Sequence, residues 1–287
     1  MTTFMTVIMF ISHDDRHVKQ MGPPTMSDTS TVLITGASSG IGATYADRFA
    51  RRGHDLVLVA RDAARLTALA ERLRAETGVA LDVLPADLTA EADLLRIEAR
   101  LREDARIGVL VNNAGAAGHG SFLDQDPAAA AALVALNVTA PTRLASAVAP
   151  RFAQAGSGVI VNIGSVVGLA PEFGMAVYGA TKSYMLFLSQ GLQRELGPKG
   201  VYVQAVLPAA TRTEIWERSG RDVNTLQGVM EVGDLVDAAL QGFDRREDVT
   251  IPPLPDAGQW SAFEAARIAM VPNFAQSHAA ERYRASA

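Results

Sequence analysis

Cysteine is absent from all 287 residues, which removes disulfides, thiolate nucleophiles and cysteine-ligated metals while leaving the redox compartment open. Histidine is scarce as well. None of the five falls in an HExxH motif, and His13 and His17 belong to an N-terminal stretch read below as disordered, so no metal ligands are predicted. Charge of one sign is also lacking: 26 basic against 31 acidic residues leave a net charge of −5 with no basic block, which argues against nucleic acid or an anionic membrane as partner. Long hydrophobic runs are missing from the start of the chain. The apolar stretch FMTVIMFI at 4–11 is too short to span a bilayer, no basic segment precedes it and no small-residue cleavage site follows. The reading is a cytoplasmic protein whose residues 1–26, ending in the polar SHDDRHVKQMGPPTM, form a disordered extension, with the folded part beginning near Ser27.

What is present is apolar sequence in a regular rhythm, and at 48% hydrophobic residues it suffices for a large core. Short β-rich runs, TVLIT (31–35), DLVLVA (55–60), LDVLPA (81–86), IGVLVNNA (107–114), GVIVNIGS (158–165), VYVQAVLP (201–208) and VTIP (249–252), mostly lack polar alternation. Such runs suit strands covered on both faces. Helical stretches at about 41–52, 62–77, 90–104, 127–155, 177–197 and 232–243 separate them. Strand and helix in alternation predict an α/β fold, a doubly wound parallel sheet in one domain over 27–257, with a helical tail at 258–287.

Two local patterns carry chemistry. The first strand runs into TGASSGIG (35–42), where Gly36, Gly40 and Gly42 let the backbone approach a pyrophosphate at the positive end of the following helix. The spacing is GxxxGxG, so spacing alone leaves an ordinary tight turn open. Further on, YGATK (178–182) sets Tyr178 and Lys182 one helical turn apart on one face, with only small residues between them.

Joined by Asp87 after the third strand, NNAG at 112–115, Asn137 in an alanine-rich helix and Ser165 at a strand end, these motifs resemble the short-chain dehydrogenase/reductase (SDR) family, in the family's order, over roughly residues 30–255. The resemblance implies a Rossmann-like sheet of about seven parallel strands, a nicotinamide cofactor and reversible hydride transfer between an alcohol and a carbonyl. It assigns Tyr178 as proton donor or acceptor, Ser165 as the hydrogen-bond partner of the carbonyl oxygen, and Asn137 as holder of a water that relays protons to Lys182. A phenol titrates near pH 10, and a neighbouring ammonium is expected to lower that by about 1 to 3 units. Lys182 is also expected to reach the nicotinamide ribose.

The same resemblance places the cofactor along Gly36, Ser38, Ser39, Gly40, Ile41 and Gly42, beside Asp87 and Leu88 at the adenine, along Asn113, Ala114 and Gly115, and near Tyr178, Lys182, Pro208, Thr211 and Thr213. The second strand ends VLVARD. Where an NAD site usually has an acid stands Ala60, followed by Arg61, whose guanidinium suits a 2′-phosphate. NADP(H) is therefore expected as the preferred cofactor, with NAD(H) left possible by Asp62. PAATRT (208–213) has Ala209 where the family usually has glycine, which leaves the backbone path open. Residues 213–232 lack periodicity and read as a lid over the substrate.

Pocket walls are expected from AAGHG (116–120), Val166, Val167, Phe173 and Trp216, favouring a small or apolar ketone or aldehyde, with His119 open as a polar contact. A homodimer or homotetramer, paired through the helices around 90–104 and 127–155, is expected. The alternative to an oxidoreductase is a non-catalytic dinucleotide-binding redox sensor on the same fold. Such a sensor would have no physical need for Ser165, Tyr178 and Lys182 together.

Overall fold

The apolar runs become strands β1 Thr31–Thr35, β2 Leu56–Ala60, β3 Leu81–Pro85, β4 Ile107–Asn112, β5 Val159–Ile163, β6 Tyr202–Val206 and β7 Val249–Thr250. The computed structural model describes residues 30–118, 122–220 and 222–284, so the extension expected over 1–26 and His119 lie outside the described residues. The strands form one seven-stranded sheet in the order β3-β2-β1-β4-β5-β6-β7, and every pairing is parallel. β1, β5 and β6 are buried at every position, with the polar side chains of Asn162 hydrogen-bonded to Asn112 and Ser189, and of Gln204 to Ala239 and Thr250, whereas the edge strand β3 exposes Asp82 and Pro85.

Helices cover both faces. On one, Phe49 of α1 (Gly40–Arg51), Leu66 and Leu73 of α2 (Ala63–Thr77) and Leu240 of α8 (Val232–Asp244) pack on Val32, Leu58 and Val161. On the other, Ile97 and Leu101 of α3 (Glu91–Glu103), Leu144 and Phe152 of α5 (Ala140–Ala155) and Leu196 of α6 (Ala176–Leu196) pack on Leu33, Leu110 and Ile160. Local chemistry sets the ends of these helices. Asp62 caps α2 by accepting from the Arg65 amide at 3.0 Å, and Gly78 closes it in the left-handed conformation that a side chain would resist.

The helix expected over 127–155 is continuous, with α4 (Pro127–Val134) passing into α5 through a π turn at Ala135–Thr139. By length and composition its 29 residues could cross a bilayer, but the core helix of a folded domain passes the same test, and Leu144, Val148 and Phe152 are spent on the sheet. A short helix α7 (Ile215–Arg218) follows β6, and α9 (Ala257–Met270) lays Trp260 against the cluster of Leu186, Ala205 and Leu207.

β1 lies between β2 and β4, so the chain leaves it in one direction across the sheet and later strands are added in the other. At that switch point the loops beyond the strand ends part and leave a crevice.

Candidate active site

β1 ends at Thr35, and the backbone then turns through Gly36 at φ 66° and Gly40 at φ 53°, left-handed angles that favour glycine. The loop is also too tight for side chains. A Cβ on Gly42 would lie 2.3 Å from the Gly36 carbonyl oxygen, and one on Gly36 would lie 2.8 Å from Asn113 Nδ2. The turn after β4 locks this loop: Asn113 Nδ2 donates to the carbonyls of Thr35 at 2.9 Å and Gly36 at 3.2 Å, while Thr35 Oγ1 accepts from the amides of Asn113 and Ala114. Asn113, expected at the cofactor, thus also buttresses the glycine loop. Bare backbone leads into the N-terminus of α1, whose first turn has no acidic residue, and this cradle fits the pyrophosphate of a dinucleotide.

Ser165 lies two residues beyond β5. Its hydroxyl donates to the Pro208 carbonyl and accepts from the Val167 amide, both at 3.2 Å, and Tyr178 lines the same cleft. Burial raises the Tyr178 phenol above its ordinary value, and the Ser165 hydroxyl pulls the other way. Lys182, one turn along α6, is buried with its ammonium 5.7 Å from the centre of the Tyr178 ring, and Nζ donates to the Ile163 carbonyl at 2.9 Å. Burial pushes Lys182 itself down to about 8.

The expectation that Lys182 lowers Tyr178 therefore needs correcting for the protein without cofactor. Loss of water is the larger effect on both groups, and the ammonium's hydrogen bond goes to a backbone oxygen.

Asn137 occupies the π turn. Its Oδ1 accepts from the Ala116 amide at 3.0 Å, and its Nδ2 donates to the Ala116 carbonyl at 3.0 Å and to Thr181 Oγ1 at 3.1 Å. The π turn at Ala135–Thr139 sets Asn137 facing Ala116 and Thr181. Gly115 lies between the two groups: a Cβ on it would come within 3.2 Å of Asn137 Oδ1 and 3.7 Å of Lys182 Nζ.

A single cleft of about 1080 Å³ brings these parts together. Ser165, Tyr178 and Lys182 line it, as do Gly36, Ser38, Ser39, Gly40, Ile41, Arg61, Asp87, Leu88, Asn113, Ala114, Gly115, Pro208, Thr211 and Thr213. Gly42 and Asn137 stand behind its wall. Asp87 accepts from the Thr89 hydroxyl at 2.7 Å and amide at 2.9 Å, both on Oδ1; these bonds hold its carboxyl below the usual range, with the Arg61 cation helping.

Over the cleft lies a flap made of α7 and a short turn at Val223–Thr225, closed at its base where Thr211 bridges to Met230. Ala209 is not among the residues with positive φ, so the alanine is accommodated without left-handed backbone. Thr213 rests on the glycine loop, since a Cβ on Gly40 would lie 3.0 Å from its methyl. Across the mouth Arg65 holds Glu214 with Nη1 contacts of 2.7 and 2.9 Å. The Trp216 indole donates to the Thr211 carbonyl at 2.7 Å, which fixes the ring as a wall.

Val166, Val167 and Phe173 line the cleft as expected. Met175, Leu226 and Gln227 line it too and were not signalled by any motif. Among the described residues no cluster of His, Asp and Glu could hold a metal ion.

Residues 30–224 match the model of the family described as short chain dehydrogenase, well over half of the chain, and the protein belongs to that family of oxidoreductases. A short-chain dehydrogenase from Sphingobium yanoikuyae, solved in complex with NADPH, is 68% identical, with a TM-score of 0.88 over 89% of this chain and 100% of its own. A bulky-bulky ketone specific alcohol dehydrogenase from Comamonas testosteroni is 62% identical, with a TM-score of 0.84 over 89% of this chain and 99% of its own. The very-long-chain 3-oxoacyl-CoA reductase-A of Danio rerio is 32% identical over 64% of this chain, which spans 58% of that protein's length.

Proposed function

We propose that the protein is an NADP-dependent carbonyl reductase, working reversibly as a secondary-alcohol dehydrogenase, on ketones that carry a bulky apolar group on each side of the carbonyl. The observation that carries this reading is the meeting of Ser165, Tyr178 and Lys182 in the same cleft as the glycine loop. Beyond the cofactor's share, the cleft continues between Val166, Val167, Phe173, Trp216 and Leu226, an apolar space suited to large flanking groups. The ketone specificity stated for the Comamonas testosteroni enzyme and the NADPH held by the Sphingobium yanoikuyae enzyme support it.

The glycine loop and the N-terminus of α1 would hold the pyrophosphate, Arg61 the 2′-phosphate, and Asp87 with Leu88 the adenine. When bound, NADPH supplies the hydride that reduces the carbonyl carbon. Ser165 Oγ holds the carbonyl oxygen within reach of the phenol, and Tyr178 gives its proton to that oxygen as negative charge develops. Burial keeps the phenol protonated at neutral pH, which suits a proton donor. The cationic form of Lys182 stabilises the phenolate left behind, and Asn137 and Ala116 hold the backbone beside it in register.

The test is oxidation of NADPH, followed by its absorbance, across ketones graded in the size of both flanks. Turnover that persists or rises with two large flanks supports the proposal. Turnover confined to methyl ketones, or none with any carbonyl compound, contradicts it.

A further inference from the structure

Met175 is the residue before α6, and its backbone sits at φ 56° and ψ 53°, in the left-handed region that L side chains resist. Only one other described non-glycine residue has positive φ, Arg246, in the turn after α8. The preceding residue, also at positive φ, is the glycine such angles favour, Gly174 at 71°. Backbone geometry therefore asks for glycine at 175, yet the chain carries a long thioether there. The position is also the anchor of the functional helix: the Met175 carbonyl accepts from the Gly179 amide at 2.8 Å, and Tyr178 follows three residues later. Met175 lines the cleft, as do Phe173, Val167 and Trp216.

We infer that Met175 is a specificity-determining residue, the adjustable wall that receives one of the two bulky groups of the ketone; this rests on the function proposed above. Trp216, in the same cleft, is held by its indole hydrogen bond to the Thr211 carbonyl. An unbranched thioether with three rotatable bonds can adapt, and it fills space of irregular shape. Strain tolerated at a cleft residue is explained when its side chain does what glycine cannot.

The experiment compares wild type, Met175→Gly and Met175→Leu by melting temperature without cofactor, by NADPH affinity from fluorescence titration, and by kcat/KM for a ketone with two bulky flanks and for a methyl ketone. For Met175→Gly the expected result is a melting temperature unchanged or raised, NADPH affinity unchanged, and kcat/KM lower by about tenfold or more for the bulky ketone alone, the scale set by apolar contacts in a pocket. Met175→Leu, of similar volume, restores most of that loss.

Equal kcat/KM ratios for the two ketones in wild type and Met175→Gly would overturn the inference while leaving the proposed function standing. So would a lowered melting temperature with equal losses on both ketones. A wild type inactive on both ketones would overturn the proposed function and this inference with it.

Discussion

Lys182 donates from Nζ to the Ile163 carbonyl at 2.9 Å, so the lysine of YGATK ties α6 to the last residue of β5. Burial holds this lysine down to about 8, well below the value of an unfolded lysine near 10.4. Below pH 8 both states carry the proton and the folded state bears the full cost of a buried charge. Between about pH 8 and 10.4 the unfolded chain binds more protons, so stability rises with pH. Wild type without cofactor should therefore gain on Lys182→Met by up to about 3 kcal/mol across that window. Denaturant unfolding of both proteins at several pH values checks this, and parallel pH dependences would count against it.

Arg61 lies exposed on the cleft rim beside Asp87. If its guanidinium receives the 2′-phosphate, Arg61→Ala should weaken NADPH binding by about tenfold or more, the scale of a lost charge-assisted hydrogen bond, and leave NADH nearly unchanged. Titration of both cofactors by fluorescence decides it; equal affinities in wild type would contradict the assignment.

Large apolar side chains stand in water on α6 and the tail: Phe187 is 77% exposed and Phe274 71%. The helices expected to pair, around 90–104 and 127–155, expose Leu95 and Val134, so the more exposed aromatic rings lie on other elements. Exposed apolar surface of this kind marks contact sites, and we propose a homodimer or homotetramer that uses α6. Light scattering should give a multiple of the chain mass, reduced in Phe187→Glu with little change in melting temperature. A monomeric wild type at micromolar concentration would end this proposal.

The sheet was legible because strands covered on both faces leave apolar runs that mostly lack polar alternation, and all seven strands appear within a few residues of where those runs lie. The glycine loop was legible because its residues are fixed by backbone approach, and Gly36 and Gly42 indeed have no room for a Cβ. The π turn at Asn137 was not, because one extra residue in a turn leaves the alanine-rich periodicity of 127–155 intact. Met175 was hidden for a related reason: positive φ at a non-glycine residue has no sequence signature. The titration of Lys182 depends on how much water the folded chain excludes, which YGATK alone does not record.

Tyr178→Phe isolates the proposed proton donor, because one oxygen is lost and the ring remains. The measurement is steady-state turnover of a bulky ketone under conditions where chemistry limits the rate, with NADPH titrated in parallel. NADPH affinity and melting temperature are expected to survive while kcat falls by about 10²- to 10⁴-fold, since the Ser165 hydroxyl left at the carbonyl oxygen is too weak an acid to give up its proton. A variant keeping more than about a tenth of wild-type turnover would contradict it.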